Sequence, residues 1–373
     1  MIVKTPPMGW NTWNTFGECY NEEVLCETAD ALADRGFAEA GYKYLIIDDH
    51  WVMEHRDPVT HRLIPRPGKF PNGIEPVAKY VHGKGLKFGV YSCVGARTCG
   101  AKMGSFEYEF TDAEWFSEIG VDYLKHDYCL RPEKSDGETL YRRMSLALRD
   151  SGRDTVFAAC NWGCDDVWSW IRSIGAHTYR STGDICDNFK SFTDIFRSQV
   201  FKLGASASGC FNDLDMITVG MDGEGNVGTS ELLTEGVYRI QFCVWCMFAS
   251  PLILGCDVRT VKDKYRDLLC NRELIRINQD PECRSPFPVG FDDSLVFCRL
   301  LDGGDIAVLL INVNDNACNM SFLPYDIGLT EESGYKLSMK DVLNGDTFEA
   351  SDIMFVPVPP KDCRMLRGRL VKK

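Results

Sequence analysis

The sequence of 373 residues predicts a parallel (β/α)8 barrel followed by a small antiparallel β-sandwich. Eight apolar, strand-like runs recur along the first part of the chain, and each ends abruptly in polar residues. Helix-like stretches separate these runs at intervals of roughly 30 to 40 residues, which favours a parallel sheet with helices outside it. Eight such units in about 280 residues match a closed barrel better than an open sheet.

The predicted elements alternate in a regular order. The eight predicted strands are Met8–Trp13, Tyr44–Asp49, Lys87–Ser92, Asp122–Asp127, Thr155–Asn161, Thr178–Thr182, Gly209–Asp215 and Pro251–Gly255. The clearest predicted helices between them are Glu22–Ala40, Glu138–Asp150, Phe189–Leu203 and Leu232–Phe248. No glycine-rich phosphate fingerprint follows the first strand, which argues against a nucleotide-binding open sheet.

The pattern changes after Asn278–Pro281, where short alternating runs begin. Leu295–Leu301 and Ile306–Asn312 are joined across an Asp-Gly-Gly-Asp turn, which is a hairpin signal. A second turn signal, Asn344-Gly345, separates two further strand-like runs. We therefore expect a barrel over residues 1–282 and an antiparallel β-sandwich over residues 283–373, with the sandwich bracing the barrel.

Composition excludes several classes of partner. The net charge of −13 argues against nucleic acid and anionic membranes, because both need concentrated lysine and arginine. No apolar run approaches the ~20 residues that cross a bilayer, and the first residues do not resemble a signal peptide. The 17 cysteines are scattered without zinc spacing, which is typical of buried thiols in a reducing compartment. We expect a cytoplasmic protein, and its sequence is compatible with a monomer or a homo-oligomer.

The fourth predicted strand ends in residues that suit chemistry. Lys125 and Asp127 lie two positions apart and therefore on the same face of the strand. An ammonium group beside a carboxylate favours an ionised, oriented aspartate, as a nucleophile requires. The alternative is a structural ion pair at the barrel rim, which costs desolvation. His126 points to the opposite face, where we expect it to pack.

The carboxyl ends of all eight strands converge on one face of a barrel, where active sites lie. Asp48 and Asp49 can both face a ligand only where their strand turns out of the sheet, and the alternative is a polar cap. Trp13, Trp51 and Trp162 suit a platform for the apolar face of a sugar, although large aromatics also fill cores. The remaining polar or aromatic candidates at strand ends are Tyr91, Asn161, Arg180, Asp184, Asp213 and Asp215.

Clustered aspartates also bind Mg²⁺ in barrel enzymes. Here Lys125 and Arg180 would already neutralise the pocket, and no histidine pair has ligand spacing, so we expect neither a metal nor another cofactor. A Schiff-base lysine at Lys125 is disfavoured, because the neighbouring carboxylate keeps it protonated. Two carboxylates with aromatic surfaces suit glycoside hydrolysis, in which one acts as nucleophile and the other as general acid.

Six motifs resemble the melibiase or α-galactosidase A family, glycoside hydrolase family 27 in clan D. They occur in the family's order and at its spacing, and the family's carboxy-terminal domain is an antiparallel β-sandwich. The motifs here are Pro6–Trp13, Ile47–Trp51, Phe70–Ile74, Leu124–Asp127, Asn212–Met216 and Ile277–Pro281.

The resemblance implies roles for individual residues. Asp127 matches the nucleophile and Asp184 the acid/base, while Asp48 and Asp49 match the pair that holds O4 and O6 of galactose. Lys125 matches the contact to the O3/O4 side of the sugar. The other matched or adjacent substrate-binding positions are Trp13, Tyr91, Asn161, Trp162, Arg180, Asp215 and Met216, and Cys99 and Cys129 occupy the positions of a disulfide beside the site.

The resemblance implies a retaining exo-α-galactosidase acting on α-galactosides, with its carboxyl groups about 5–5.5 Å apart. We expect Lys125 to hold Asp127 ionised with a low pKa. Asn161 departs from the glutamate common in the family, and the small Cys164 could leave room for an N-acetyl group. An α-N-acetylgalactosaminidase therefore stays an alternative, as does a non-catalytic galactose-binding barrel. The intact Asp48-Asp49 pair argues against a β-L-arabinopyranosidase.

Overall fold

The computed structural model describes residues 2–290 and 295–373, and a parallel barrel forms its larger part. Neighbouring strands pair in parallel in the order β8-β1-β2-β3-β4-β5-β6-β7. A parallel bridge between Ile217, just after β7, and Leu254 in β8 closes the ring. The strands are β1 Met8–Asn11, β2 Tyr44–Ile46, β3 Lys87–Cys93, β4 Tyr123–Asp127, β5 Val156–Cys160, β6 Thr178–Arg180, β7 Phe211–Asp213 and β8 Leu252–Leu254. The predicted barrel is confirmed.

Six of the eight barrel strands end before their predicted ends, and the early ends of β1 and β2 matter for the polar residues that follow them. Strand β1 stops at Asn11, because the Asn11 side-chain Oδ1 accepts a hydrogen bond from Trp13 N–H and starts a helical turn there. Strand β2 stops at Ile46, so Asp48 and Asp49 lie beyond the sheet. Freed from the alternation of a strand, both carboxylates can turn toward the same space.

Helices pack outside the barrel and begin at capped residues. The side chains of Asn21, Asp136, Asn188 and Thr234 accept backbone hydrogen bonds at the first turns of four helices. The predicted helix over residues 22–40 is divided at Gly36, whose φ of 87° breaks helical geometry. The helices are Trp13–Phe16, Glu22–Asp34, Phe37–Ala40, Glu75–Gly83, Glu109–Glu118, Gly137–Asp150, Phe189–Gln199, Glu235–Met247, Asp263–Leu269 and Arg272–Asn278.

None of the helices in the described ranges is long and apolar enough to cross a membrane. A short hairpin that the sequence did not predict, Val52–Arg56 with Leu63–Pro65, extends from the barrel after β2.

The carboxy-terminal part folds as two antiparallel sheets. Six strands form the larger sheet in the order β9-β10-β11-β16-β13-β14, and β12 pairs with β15. Both predicted hairpins are present, with Leu300 opposite Ile306 and Lys340 opposite Thr347. The strands are β9 Phe287–Pro288, β10 Val296–Leu300, β11 Asp305–Asn312, β12 Cys318–Phe322, β13 Tyr335–Asp341, β14 Thr347–Ala350, β15 Met354–Val358 and β16 Asp362–Lys372. The boundary at 282/283 stays a prediction.

A buried arginine joins the sandwich to the barrel. Arg299, on β10, donates hydrogen bonds to the carbonyl oxygens of Ile277 at 2.8 Å and of Arg284 at 2.7 Å. Its guanidinium also reaches the Cys246 carbonyl at 3.3 Å, at the end of helix Glu235–Met247. One side chain therefore donates hydrogen bonds to carbonyl groups from three segments, of which the Cys246 carbonyl also accepts from Ala249 N–H.

We expect Arg299→Ala to lower the free energy of unfolding by about 2–4 kcal/mol, because it removes a buried side chain and its hydrogen bonds to three carbonyl groups. Urea denaturation followed by tryptophan fluorescence measures the change. The matched control is Arg272→Ala, which removes an exposed ion pair with Glu39 and should have little effect. Equal midpoints for the two variants would contradict a structural role for Arg299.

Candidate active site

A pocket opens at the carboxyl ends of the barrel strands, where the sequence placed the site. It collects side chains from β3, β4 and β6 and from the loops after β1, β2, β3, β5, β6 and β7. The lining residues are Trp13, Asn14, Asp48, Asp49, Tyr91, Cys99, Lys125, Asp127, Trp162, Arg180, Asp184, Ile185, Asp215, Met216 and Val227. Of the residues expected from the sequence to contact the sugar, Asn161 and Trp51 are missing from this wall.

Four hydrogen bonds hold Asp48 in place. Its Oδ2 accepts hydrogen bonds from Asn11 Nδ2 at 2.8 Å and from Lys125 Nζ at 2.7 Å. Its Oδ1 accepts the backbone N–H of Asp49, and its own N–H donates to the Thr12 hydroxyl. These contacts fix a buried carboxylate in one orientation toward the pocket.

Asp49 depends on the loop that follows β3. Its two oxygens accept hydrogen bonds from Thr98 Oγ1 at 2.8 Å and from Gly100 N–H at 2.7 Å. Tyr20 O–H reaches the backbone carbonyls of both Asp48 and Asp49. The acidic pair is evident in the sequence but these donors are not, because Tyr20, Thr98 and Gly100 are far from the pair along the chain.

Asp127 ends β4 with one oxygen engaged and one unengaged. Its Oδ2 accepts a hydrogen bond from Tyr91 O–H at 3.1 Å and lies 3.6 Å from the Cys99 sulfur. Its Oδ1 is buried and has no hydrogen-bond partner among the described residues. A buried, unpaired carboxylate oxygen disfavours the ionised form of the group.

The protonation of Asp127 differs from the expectation. Burial raises the pKa of Asp127 to about 7, and the negative charge of Asp48 acts in the same direction, while the positive charge of Lys125 lowers it. The predicted low pKa of Asp127 is therefore wrong. The direct ion pair of Lys125 is with Asp48, and Lys125 also lies 5.4 Å from the centre of the Tyr91 ring. Lys125 affects Asp127 through space.

Arg180 organises the opposite side of the pocket. Its Nη1 lies 2.8 Å from Asp215 Oδ1, and its Nη2 donates to Asp184 Oδ1 at 3.0 Å. The same Nη2 donates to the carbonyls of Thr182 and Gly183 in the loop between Arg180 and Asp184. Arg180 and Asp215 are buried, whereas the side chain of Asp184 is 75% exposed.

Asp215 occupies a strained backbone position, with φ of 79°. Its N–H donates to Asp213 Oδ1, its Oδ2 accepts the N–H of Ile185, and its carbonyl accepts from Trp245 Nε1. Strain of this kind persists only where surrounding contacts over-determine it, and it clusters at functional sites. Asp213 itself supports Asp215 instead of lining the pocket.

The three tryptophans have different positions. Trp13 is the first residue of its short helix, and its ring stacks on that of His50 with the ring centroids 6.2 Å apart. Trp162 lines the pocket and has a positive φ of 57°. Trp51 is buried: its Nε1 donates to the Tyr91 carbonyl, and its ring stacks on Trp115. The prediction of a sugar platform is therefore wrong for Trp51, which is a core residue.

Asn161 and Cys164 also differ from the sequence interpretation. Asn161 is buried, its Nδ2 donates to the Cys164 carbonyl, and its Oδ1 accepts from Gly163 N–H. It shapes the loop that presents Trp162, because both of its polar atoms are used within that loop. Cys164 is not part of the pocket wall, so its predicted effect on an N-acetyl group stays a prediction.

Cys99 and Cys129 form a disulfide with Cα atoms 5.2 Å apart. The bond joins the loop after β3 to the residue that lies two positions beyond Asp127. Thr98 and Gly100, which flank Cys99, are the donors to Asp49. The disulfide therefore connects the segment that holds Asp49 to the end of β4.

A (β/α)8 barrel whose strand ends bring several carboxylates, two cations and aromatic side chains into one pocket defines a barrel glycoside hydrolase. The chain belongs to the α-galactosidase A family: residues 5–280 match that family's model. Residues 292–367 match the model of the α-galactosidase C-terminal β-sandwich domain. The resemblance seen in the sequence is confirmed.

Relatives and solved structures are similar over nearly the whole chain. The α-galactosidase of Cyamopsis tetragonoloba is 39% identical over 348 residues, covering 93% of this chain and 81% of that protein. The crystal structure of α-galactosidase I from Mortierella vinacea has a TM-score of 0.90 at 31% identity, with 98% and 97% of the two chains covered. α-Galactosidase from Saccharomyces cerevisiae with raffinose has a TM-score of 0.90 at 26% identity, with 99% and 98% covered.

The charges around Asp127 predict opposite pH effects for two variants. If Asp127 is the nucleophile that the resemblance implies, it must be ionised to attack, so kcat/KM should rise with pH through about 7. Lys125→Met removes a charge that lowers the pKa of Asp127, so this rise should move to higher pH. Asp48→Asn removes a charge that raises that pKa, so the rise should move to lower pH.

The measurement is kcat/KM on an aryl α-galactoside from pH 4 to 9. Low residual activity of a variant is sufficient, because the test depends only on the pH at which kcat/KM rises. Lys336→Met is the matched control, since Lys336 pairs with Glu349 in the sandwich. Shifts of the same sign in both site variants would contradict the electrostatic account.

Proposed function

We propose that this protein is a retaining exo-α-galactosidase that hydrolyses terminal α-linked galactose by double displacement. The observation that carries the proposal is that Asp127 and Asp184 line one pocket, delivered by β4 and by the loop after β6. Retaining glycosidases place a nucleophile and an acid/base on either side of the scissile bond. The relative from Saccharomyces cerevisiae, whose structure contains raffinose, supports an α-galactoside as the substrate.

The difference in burial between the two sides of the pocket orients the sugar. Asp48, Asp49 and Lys125 form a buried polar group that can receive the hydroxyl groups of a terminal hexose. Asp184 is exposed, which suits a residue that meets the leaving group at the mouth. This difference in burial between the two ends of the pocket supports the cleavage of terminal galactose residues.

The first displacement uses the carboxylate of Asp127. One of its oxygens forms a bond to C1 as the bond from C1 to the glycosidic oxygen breaks, and Asp184 donates its proton to the glycosidic oxygen. The hydrogen bond from Tyr91 O–H to Asp127 Oδ2 holds the carboxylate in one orientation before attack.

The second displacement regenerates the carboxylate. Asp184 removes a proton from water, the water oxygen bonds to C1, and the bond between C1 and Asp127 breaks. Two inversions at C1 give net retention. Arg180, which contacts both Asp184 and Asp215, links the acid/base to the buried wall throughout.

Retention predicts that α-galactose is the first product. Proton NMR during hydrolysis of an aryl α-galactoside should detect the α anomer before mutarotation, and the β anomer appearing first would reject double displacement. Run side by side with an aryl α-N-acetylgalactosaminide and a β-L-arabinopyranoside, the assay should show fastest turnover of the α-galactoside. Faster turnover of either alternative would reassign the substrate.

Replacing Asp127 and replacing Asp184 should affect catalytic activity in different ways. Asp127→Asn should fold normally and lose turnover on every substrate, because no covalent intermediate can form. Asp184→Ala should lower kcat/KM by roughly 10²–10⁴-fold for phenyl α-galactoside, with much less loss for the 2,4-dinitrophenyl compound, which leaves without acid assistance.

Azide checks these assignments independently. With Asp184→Ala, azide should accelerate turnover and yield α-galactosyl azide by attack on the galactosyl-enzyme. Substantial turnover by Asp127→Asn, or β-galactosyl azide from Asp184→Ala, would contradict the assigned roles.

A further inference from the structure

Asp184 lies on a loop that gives it little direct support. The loop connects β6 to helix Phe189–Gln199 and has no regular secondary structure around Asp184. In the described part of the chain, the side-chain partner of the Asp184 carboxylate is Arg180, at 3.0 Å. An exposed carboxylate on such a loop needs its backbone fixed from elsewhere to meet a reacting oxygen reproducibly.

Asp187, three residues further on, is fully buried and fixes that backbone. Its Oδ2 accepts hydrogen bonds from Gly223 N–H at 2.8 Å and from Tyr238 O–H at 3.0 Å. Its backbone N–H donates to the Val227 carbonyl at 3.0 Å, and its own carbonyl accepts from Thr229 Oγ1 at 3.0 Å. Asp187 is thus bonded through both main chain and side chain to the segment after β7.

That segment is itself attached to the pocket wall. Asn226 N–H donates to the Thr15 carbonyl and Val227 N–H donates to the Asn14 carbonyl, each at 3.1 Å. Asn14 and Val227 both line the pocket. A Cβ atom at Gly228 would lie 2.3 Å from the Gly223 carbonyl oxygen, so the segment is folded tightly on itself. Asp187 therefore connects the Asp184 loop to a rigid part of the site.

A second attachment lies on the other side of Asp184. The N–H of Ile185 donates to Asp215 Oδ2 at 2.8 Å, and Asp215 is paired with Arg180. The acid/base thus stands between Arg180 and two anchored residues, Ile185 and Asp187. Ile185 orients the peptide next to Asp184, whereas Asp187 sets how far the whole loop stands from the barrel.

We propose that Asp187 is a positioning residue for the general acid/base, holding the Asp184 loop at the distance that proton transfer to the glycosidic oxygen requires. The inference rests on the proposed function, because it assigns Asp187 a part in the step that Asp184 performs. A misplacement of about 1 Å at a reacting group can cost on the order of 10²-fold in rate.

The test is the dependence of rate on the leaving group. Asp187→Asn keeps the shape of the side chain but replaces one acceptor oxygen with a donor, opposite Gly223 N–H and Tyr238 O–H. It should lower kcat/KM for phenyl α-galactoside at least about tenfold and for the 2,4-dinitrophenyl compound less than about twofold. Azide should raise its kcat. Tyr238→Phe, which removes one donor and no charge, should show the same pattern more weakly.

Asp341→Asn is the matched control. Asp341 is an equally buried aspartate, paired with Arg364 in the sandwich, so its replacement destabilises without touching the loop. It should leave the ratio of the two kcat/KM values unchanged. If Asp187→Asn and Tyr238→Phe lower kcat/KM equally for both leaving groups, Asp187 is merely structural and the proposal fails. If Asp184→Ala itself shows no leaving-group dependence, the acid/base assignment fails first, and the two failures are told apart.

Discussion

Burial of several carboxylates in one pocket is the constraint on which the site depends. Asp48, Asp49, Asp127 and Asp215 are all nearly inaccessible to solvent. A buried anion without compensation is strongly unfavourable, so each must have a cation or several donors. Lys125 pairs with Asp48 and Arg180 pairs with Asp215, while neutral donors satisfy Asp49. Asp127 is the one of the four with an unengaged oxygen, and burial raises its pKa to about 7.

This arrangement explains why Lys125 acts indirectly. A lysine bonded directly to Asp127 would stabilise the carboxylate and make it a poorer nucleophile. Bonded to Asp48 instead, Lys125 orients a residue suited to sugar binding and still lowers the pKa of Asp127 through space. One ammonium group thus serves binding and reactivity together, and the two functions are coupled by the charge of Asp48.

The sequence predicted the positions on strands better than the contacts between loops. Lys125, Asp127 and Arg180 follow from the barrel, because strand ends converge on one face whatever the details of packing. The partner of Lys125 did not follow, since alternation along a strand shows which residues share a face but not which atoms meet across strands. Asn161 and Trp51 lie at strand ends and yet turn away from the pocket, because neighbouring loops and aromatic rings use their polar atoms.

The limit of predicting contacts from sequence is clearest for the loop residues. Val227 and Asn14 lie more than two hundred positions apart and meet at the pocket wall through backbone hydrogen bonds, which leave no pattern of residue types. The proposed nucleophile and the proposed acid/base differ for the same reason. Asp127 belongs to a strand, so the sheet sets its position, whereas Asp184 belongs to a loop whose position depends on distant contacts. Under the proposed function, a buried nucleophile with an exposed acid/base would let the pocket hold the sugar while leaving groups of different shapes reach the same proton donor. Variation among substrates should therefore be accommodated at the mouth, around Asp184, while the buried carboxylates keep one geometry for the terminal sugar.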